Sequence, residues 1–229
     1  MEAFRCAVER VMGKPKDQLD YDLMASVQEQ LLEVMRALNE IRPLAELTDI
    51  EKHECAKISS VKYYPTKCIV HEKDSSMCSG DAYFLLSGRC LRIQKLHIKC
   101  FLSVGKYQYR LIKSDCKNCK DPKHRTVYVK TSELGPGSVF NIGEKSENGC
   151  LVVTISEVKF LLVPLNFLTK HNTANIWGRI VCSLNLSTLS VQQCFQKFVT
   201  SERWEEYKKS VVDSVVQKWQ NYEDQSKLK

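Results

Sequence analysis

Short segments rich in β-branched and aromatic residues follow one another from Val61 to Val163, and this series constrains the fold more than any other feature of the chain. Residues 82–86, 151–155 and 159–163 are typical examples, and Gly, Pro, Asn or Asp residues separate the segments. Many short strands joined by such turns predict a β-roll or jelly-roll sandwich.

Helical patterns precede and follow the strand series. Apolar residues recur at spacings of three and four between Met24 and Leu38, and Thr48 and Glu51 have the spacing of a helix capping box. Residues 176–199 are apolar and also favour helix. The sequence therefore predicts an α+β fold with an N-terminal helical lead (1–60), a β-roll (61–168) and a C-terminal helical region (169–229).

The last helical segment carries a stripe of large apolar residues at helical spacing. The stripe consists of Trp204, Tyr207, Val211, Val215 and Trp219. An amphipathic helix most often packs back on its own domain, but the same stripe could cover a pocket as a lid or bind a partner. These five residues are the candidates for protein docking.

Composition limits the class of protein. With 229 residues, 43% hydrophobic and 27% charged, the chain has the composition of a globular protein with one substantial core. No apolar run approaches the roughly 18 residues of a membrane span, and the first residues do not resemble a secretory signal. Most of the 11 cysteines stand singly in apolar segments. This pattern favours reduced thiols and a cytoplasmic location.

The positive charge is concentrated in one stretch. The whole chain has a net charge of +7, and Arg89 to Lys130 contains twelve Lys or Arg against only Asp115 and Asp121. These residues either form solvated hairpin faces or bind an acidic partner, which could be a protein, an anionic lipid or a nucleic acid. Few aromatic residues are interleaved, so nucleic acid is the least favoured. We expect a protein partner with an acidic surface.

Several motifs occur in a specific order along the chain. Residues 20–23 precede the amphipathic helix, residues 80–88 (GDAYFLLSG) form a strand and a glycine turn, and Leu134-Gly135-Pro136-Gly137 precedes Phe140. In this order the motifs resemble those of the cyclic nucleotide-binding domain, over about residues 19–168. The resemblance implies a β-roll flanked by helices and a phosphate-binding cassette that begins near Phe140.

The cassette departs from the family pattern of Phe-Gly-Glu, a helical turn and Arg-Ala. An ungapped alignment from Phe140 places Ile142 at the glutamate and Leu151 at the phosphate-binding arginine. A shifted frame lets Gly143 and Glu144 supply the Gly-Glu pair, but it supplies no arginine. A buried phosphate without a paired cation costs several kcal/mol, so we expect a degenerate site.

Four residues would contact a nucleotide if binding is retained. They are Gly143, Glu144, Lys145 and Thr154; Lys145 is the one basic residue between Gly143 and Val158. A lysine lacks the planar fork with which arginine grips a phosphate. The sequence therefore favours a packed pocket without a cofactor, with binding of cAMP or cGMP as the alternative.

Other chemistry has little support in the sequence. Cys116 and Cys119, with His124 five residues further on, have a metal-like spacing, but a closed zinc site needs four ligands. A polar loop is the favoured interpretation, and a zinc-dependent module binding nucleic acid is the weakest hypothesis. No catalytic motif connects the five histidines, so we expect a protein that is not an enzyme.

The functional expectation follows from the resemblance. The chain resembles small cyclic nucleotide-binding domain-containing proteins that have no attached kinase or channel, and described members of that group are associated with cilia and sperm flagella. We expect a regulatory or scaffold protein that acts through protein–protein contacts. The alternative is a cAMP or cGMP sensor that has an altered cassette and signals through its C-terminal helix.

Overall fold

A computed structural model describes residues 16–73, 80–103, 105–112, 123–145 and 149–227. The helices, in chain order, are α1 (Lys16–Glu40), α2 (Arg42–Ala45), α3 (Asp49–Ile58), α4 (Leu165–Lys170), α5 (Ile176–Ser187) and α6 (Val191–Lys227). The strands are β1 (Ser60–Tyr64), β2 (Ile69–Lys73), β3 (Asp81–Ser87), β4 (Cys90–Ser103), β5 (Lys106–Leu111), β6 (His124–Leu134), β7 (Val139–Phe140), β8 (Cys150–Thr154) and β9 (Val158–Pro164).

The described strands form two antiparallel sheets that share one core. The first sheet has the order β1-β9-β3-β7; in the second, β2-β8-β4-β5, strand β6 pairs with β4. Tyr83 and Phe160 from the first sheet pack in one buried cluster with Cys90 and Val152 from the second. This arrangement is a β-roll with helices before and after it, which confirms the predicted fold class.

Helices α1 to α5 pack on the outer face of the first sheet. Side chains alternate across a strand, so β3 directs Tyr83 into the roll and Phe84 to the opposite face. Phe84 lies in a second buried cluster with Leu38 from α1, Leu44 from α2 and Trp177 from α5. Strand β3 is therefore buried on both faces, which accounts for its nearly continuous apolar sequence.

Strand β4 is longer than the sequence indicated. The sequence pattern alone predicts separate strands at 90–93 and 98–104, whereas the structure has one strand of 14 residues. No turn residue interrupts the intervening Gln94 to His97, and β6 pairs with β4 from Cys90 to Lys99. On its other side β4 pairs with β8 and then with β5. The first part of β4 therefore contributes side chains to the interior of the roll, and its second part forms a hairpin with β5.

Two local predictions are confirmed. The Thr48 hydroxyl accepts a hydrogen bond from the Glu51 amide, and the Glu51 carboxylate accepts one from the Thr48 amide, so α3 begins with a capping box. Gly88 has a φ of +88°, and a Cβ there would lie 2.2 Å from the Glu157 carbonyl oxygen. Only glycine fits this turn between β3 and β4.

None of the helices in the described part of the chain is both long enough and apolar enough to cross a membrane.

Candidate functional site

A glutamate side chain fills the turn that follows β7. Asn141 and Gly143 have φ values of +59° and +103°, and this left-handed backbone turns the chain back on itself. The Glu144 carboxylate accepts hydrogen bonds from the amides of Asn141 and Ile142, each at 2.8 Å. Backbone amides that converge in this way form a cradle for an anion. Here the anion in the cradle is the chain's own carboxylate.

A buried arginine faces this carboxylate. Arg92 points from β4 to the inward face of its sheet, and its Nη2 lies 3.6 Å from Glu144 Oε1. The two side chains are only 8% and 6% exposed, so this ion pair belongs to the interior of the roll. Each buried charge compensates the other, and removal of either would leave an unpaired charge with a large desolvation cost.

The C-terminal helices close the site. Arg92 Nη1 donates to the Thr188 hydroxyl, 3.2 Å away, at the end of α5. The Lys145 amide donates to Asn185 Oδ1 on the same helix at 2.6 Å. The end of α5 is therefore linked both to the arginine and to the turn that holds Glu144.

The four residues proposed from the sequence for nucleotide contact occupy different environments. Glu144 lies inside the roll, whereas Gly143 and Lys145 are exposed. Thr154 is 3% exposed; its hydroxyl donates to the Pro65 carbonyl at 2.7 Å and accepts from the Cys68 amide at 2.8 Å. The Thr154 hydroxyl therefore binds the segment that connects β1 and β2 through two hydrogen bonds.

The structure also shows where the two residues that depart from the family pattern lie. Ile142 packs among the helices on the outer face of the first sheet. Leu151 alternates with Val152, so it points away from the inter-sheet core. Neither side chain carries a polar group that could bind Glu144.

Sequence reasoning missed Arg92. A search for a basic residue restricted to the cassette could not find an arginine contributed by a strand about 50 positions earlier. The alternation of side chains along β4 indicates that Arg92 is buried, because Arg92 and Gln94 lie on the same face of the strand as Leu96 and Ile98. Both polar residues are buried.

The docking candidates lie on the exposed part of α6. The first turns of α6 bury Cys194 and Phe198 against β4 and β6. Beyond Ser201 the apolar side chains are exposed, from Trp204 at 57% to Trp219 at 69%. Tyr207, Val211 and Val215 lie between them and are 58%, 41% and 46% exposed. The stripe therefore does not pack on the roll.

The side of α6 that faces the roll is polar. The Tyr109 hydroxyl on β5 lies 3.3 Å from Glu202 Oε2 and 3.4 Å from Glu206 Oε1, and it donates to these carboxylates. Burial, reinforced by the two carboxylates, raises the pKa of Tyr109 to about 12. The phenol therefore stays neutral and acts as a donor.

Part of the basic stretch forms one sheet face. By alternation, Lys95, Lys99 and Lys130 lie on the face opposite Leu96 and Ile98, and Lys99 is paired with Arg110 across the strands. Cys116 and Cys119 lie outside the described residues, and His124 begins β6. Within the described ranges no group of three metal-ligating side chains occurs.

Comparison with known proteins gives similarity at the level of architecture. No protein-family model and no curated protein matches the chain. A regulatory domain of protein kinase A from Toxoplasma gondii, solved with cAMP, is 9% identical with a TM-score of 0.43, over 68% of this chain and 51% of that one. The regulatory subunit of a cAMP-independent protein kinase A from Trypanosoma brucei is 13% identical with a TM-score of 0.44, over 78% and 53%.

A third similar structure, from Geobacter metallireducens, is named for cyclic nucleotide binding; it is 15% identical with a TM-score of 0.39, over 67% of this chain and 92% of that one. This chain spans about half the length of the two kinase regulatory proteins. At these TM-scores the similarity says nothing about a ligand of this chain. The sequence motifs and the chain's own sheet arrangement describe a domain that is cyclic nucleotide-binding-like in its fold.

Proposed function

We propose that this chain is a non-enzymatic regulatory or scaffold protein whose roll carries a degenerate, self-filled phosphate site. One observation carries the proposal: the Glu144 carboxylate occupies the amide cradle of Asn141 and Ile142 and pairs with Arg92. The groups that could hold a phosphate are thus already bound to an anion of the same chain.

A nucleotide would have to compete with this internal anion. If a cyclic phosphate entered while Glu144 stayed in place, two buried anions would face one arginine, and like charges at close range disfavour each other strongly. If Glu144 left, its carboxylate would lose two amide hydrogen bonds and a cation. Hydrogen bonds to charged groups each contribute about 1.5–3 kcal/mol. Entry of a nucleotide therefore carries a cost of several kcal/mol.

With the site filled, function would lie in surfaces that contact other proteins. Two surfaces support this: the exposed apolar side of α6 and the basic face formed by Lys95, Lys99 and Arg110, beside which Lys130 is ion-paired with Glu133. The basic face fits a partner with an acidic surface, because opposite charges speed and orient association. Location in the cytoplasm, in cilia or in sperm flagella belongs to the same proposal. The cytoplasmic location rests on the cysteine pattern, and the ciliary or flagellar location rests on the family resemblance; imaging of the tagged chain in ciliated cells tests both.

A cAMP or cGMP sensor is the second candidate, and Arg92 is the observation that favours it. This buried arginine could bind a phosphate bidentately if Glu144 moved away. The two candidates differ in a melting experiment with the wild-type chain and the Glu144→Gln variant. Ligand at 100 times its dissociation constant adds about 2.7 kcal/mol to the free energy of unfolding.

The scaffold proposal predicts no shift of the wild-type melting temperature at millimolar cAMP or cGMP. Lys95→Gln, on the outer sheet face, is the matched control for the loss of one charge. A saturable shift in the wild-type chain would establish the sensor instead. A shift seen only with Glu144→Gln would show that the carboxylate excludes the nucleotide, as proposed.

A further inference from the structure

His171 ends α4 and lies against α3, so it joins the start of the C-terminal helical region to the N-terminal helical lead. Its backbone amide donates to the Phe167 carbonyl at 3.0 Å and closes the last turn of α4. Its side chain is 12% exposed, and its ring centre lies 4.4 Å from that of Phe167. Phe167 packs in one buried cluster with Cys55 and Ala56 of α3. The imidazole is therefore held in place against α3.

Both ring nitrogens of His171 face carboxylates of α3. Nδ1 lies 2.9 Å from Glu51 Oε1, and Nε2 lies 3.7 Å from Glu54 Oε2. The two glutamates are three residues apart and therefore share one side of the helix. An ionised carboxylate only accepts hydrogen bonds, so Nδ1 carries the proton that joins His171 to Glu51.

The Nε2 atom of His171 distinguishes the two charge states of the ring. It is shielded from solvent and has no hydrogen-bond partner among the described residues. In the neutral ring with its proton on Nδ1, Nε2 is an acceptor that faces the Glu54 carboxylate, and two acceptors do not bind each other. In the imidazolium, Nε2 is a donor. The Glu54 side chain is 50% exposed, so a shift of less than about 1 Å would bring its oxygen within hydrogen-bond distance.

Two other groups share these carboxylates. Glu51 Oε2 accepts from the amide and the hydroxyl of Thr48, and these bonds, together with that from His171, lower the pKa of Glu51 to about 2. Lys170 Nζ lies 3.7 Å from Glu54 Oε2. Among the described residues, Glu51, Glu54 and Lys170 are the charged groups that form ion pairs at this place. Histidine changes charge between pH 5 and 8, a range in which Glu51 stays ionised.

The chain that follows His171 makes a sharp left-handed turn into α5. Ala174 and Asn175 have φ values of +51° and +52°, a conformation that costs a residue with a Cβ about 1–2 kcal/mol. Asn172 spans this turn, since its side chain donates to Asn175 Oδ1 at 3.1 Å and accepts from the Trp177 amide at 3.2 Å. The far end of α5 contacts the internal ion pair of the roll. His171 thus anchors the start of a strained connection to that helix.

We propose that His171 forms a pH-sensitive contact between α3 and α4, in which a proton taken up from solvent at Nε2 adds an ion pair with Glu54 to the existing bond with Glu51. The connection between α4 and α5 is then held more firmly at mildly acidic pH than at pH 8. The added contact stabilises the chain below the range in which histidine titrates, and this stability is lost as the pH rises through that range. The inference does not depend on the proposed function, because none of these residues belongs to the phosphate site.

The test compares thermal unfolding of the wild-type chain and His171→Gln at pH 5.5 and pH 8.0. We expect the substitution to lower the melting temperature more at pH 5.5 than at pH 8.0, by about 2–4 °C, which is the scale of one ion pair in a chain of this size. His53→Gln is the matched control, because His53 is exposed on the same helix α3. Its effect on the melting temperature should be the same at both pH values.

Two further variants separate the groups around Glu54. Glu54→Gln keeps the bond between His171 and Glu51, so it preserves the test if His171→Gln does not fold. It should abolish the difference between the two pH values that His171 causes. Lys170→Gln removes the cation that competes for Glu54, and it should retain that difference.

Nitrogen NMR of the imidazole ring measures the protonation directly. We expect both ring nitrogens of His171 to carry protons at pH 5.5. Hydrogen exchange of the Trp177 amide reports the connection, and its protection factor should be about two- to fivefold higher at pH 5.5 than at pH 8.0 in the wild-type chain and equal at both in His171→Gln.

A neutral His171 ring with its proton on Nδ1 at pH 5.5 would overturn the inference. The same pH dependence of melting in the wild-type chain and in His171→Gln would also overturn it. A melting shift with cAMP would instead remove the scaffold proposal and leave the result for His171 intact.

Discussion

Replacement of Arg92 by methionine removes the cation that faces Glu144 and keeps most of the side-chain volume. The Glu144 carboxylate would then be a buried anion, 6% exposed, that keeps the amide hydrogen bonds of Asn141 and Ile142 but loses the arginine that faces it. Breaking a buried ion pair by removal of one partner typically costs 3–5 kcal/mol. The whole free energy of unfolding of a domain is about 5–15 kcal/mol, so the loss would be a large fraction of it.

The assay is thermal unfolding, followed by tryptophan fluorescence. Trp177 is 6% exposed and lies between α5 and the first sheet, so its emission reports the loss of the core. We expect Arg92→Met to lower the melting temperature by about 6–20 °C, because 1 kcal/mol corresponds to about 2–4 °C in a chain of this size. Glu144→Gln should have a similar effect, since it leaves Arg92 charged and unpaired.

Two further variants make the prediction specific. The double variant Arg92→Met/Glu144→Gln should be less destabilised than the sum of the two single changes by about 0.5–3 kcal/mol, because neither charge is left alone. Arg89→Met, three residues earlier in the chain, is the matched control. Its pair with Glu133 spans 3.4 Å, but the two side chains are 65% and 40% exposed, so the loss should be below about 1 kcal/mol. Equal losses for Arg92→Met and Arg89→Met would refute the reasoning.

Three other predictions concern titration and thiol reactivity. Hydrogen bonds from Thr48 lower the pKa of Glu51 from 4.5 to about 2. This carboxylate therefore contributes stability that is present above pH 4.5 and is lost as the pH falls towards 2. Acid unfolding of Glu51→Gln should lack that dependence, and an acid-unfolding curve equal to that of the wild-type chain would contradict the prediction. Burial and nearby carboxylates raise the pKa of Tyr109 to about 12, so ultraviolet titration should show a late tyrosine ionisation that Tyr109→Phe loses. Burial raises the pKa of the Cys90 thiol to about 11, so iodoacetamide should label the exposed Cys182 before it labels Cys90. Equal labelling of the two thiols in peptide maps would count against the burial of Cys90.

Much of the fold could be predicted from the sequence, because local signals determine it. The capping box at Thr48 and Glu51 and the turn at Gly88 depend on residues close in the chain, and both are confirmed. No sequence pattern predicts strand β7, because it has only two residues, Val139 and Phe140. Strand β4 appeared as two segments because its continuity depends on pairing with β6, which no local pattern contains.

The site was less predictable, for a physical reason. Arg92 and Glu144 are about 50 residues apart in the chain and meet only when β4 and the turn after β7 face the same interior. The orientation of the α6 stripe depended on a similar long-range feature. The apolar spacing from Trp204 to Trp219 predicted a helical face, but the contact of Tyr109 with Glu202 determines which side faces the roll.

The NMR signals of the Asn141 and Ile142 amides test the central claim most directly, because these amides bind the Glu144 carboxylate and a phosphate bound in their place would have to displace it. Their resonances would be followed in an amide proton–nitrogen NMR spectrum of the labelled chain while cAMP or cGMP is added to millimolar concentration. The self-filled site predicts that both resonances stay in place in the wild-type chain. A saturable shift of these two amides on addition of either nucleotide would contradict it, because it would mean that the ligand displaces Glu144.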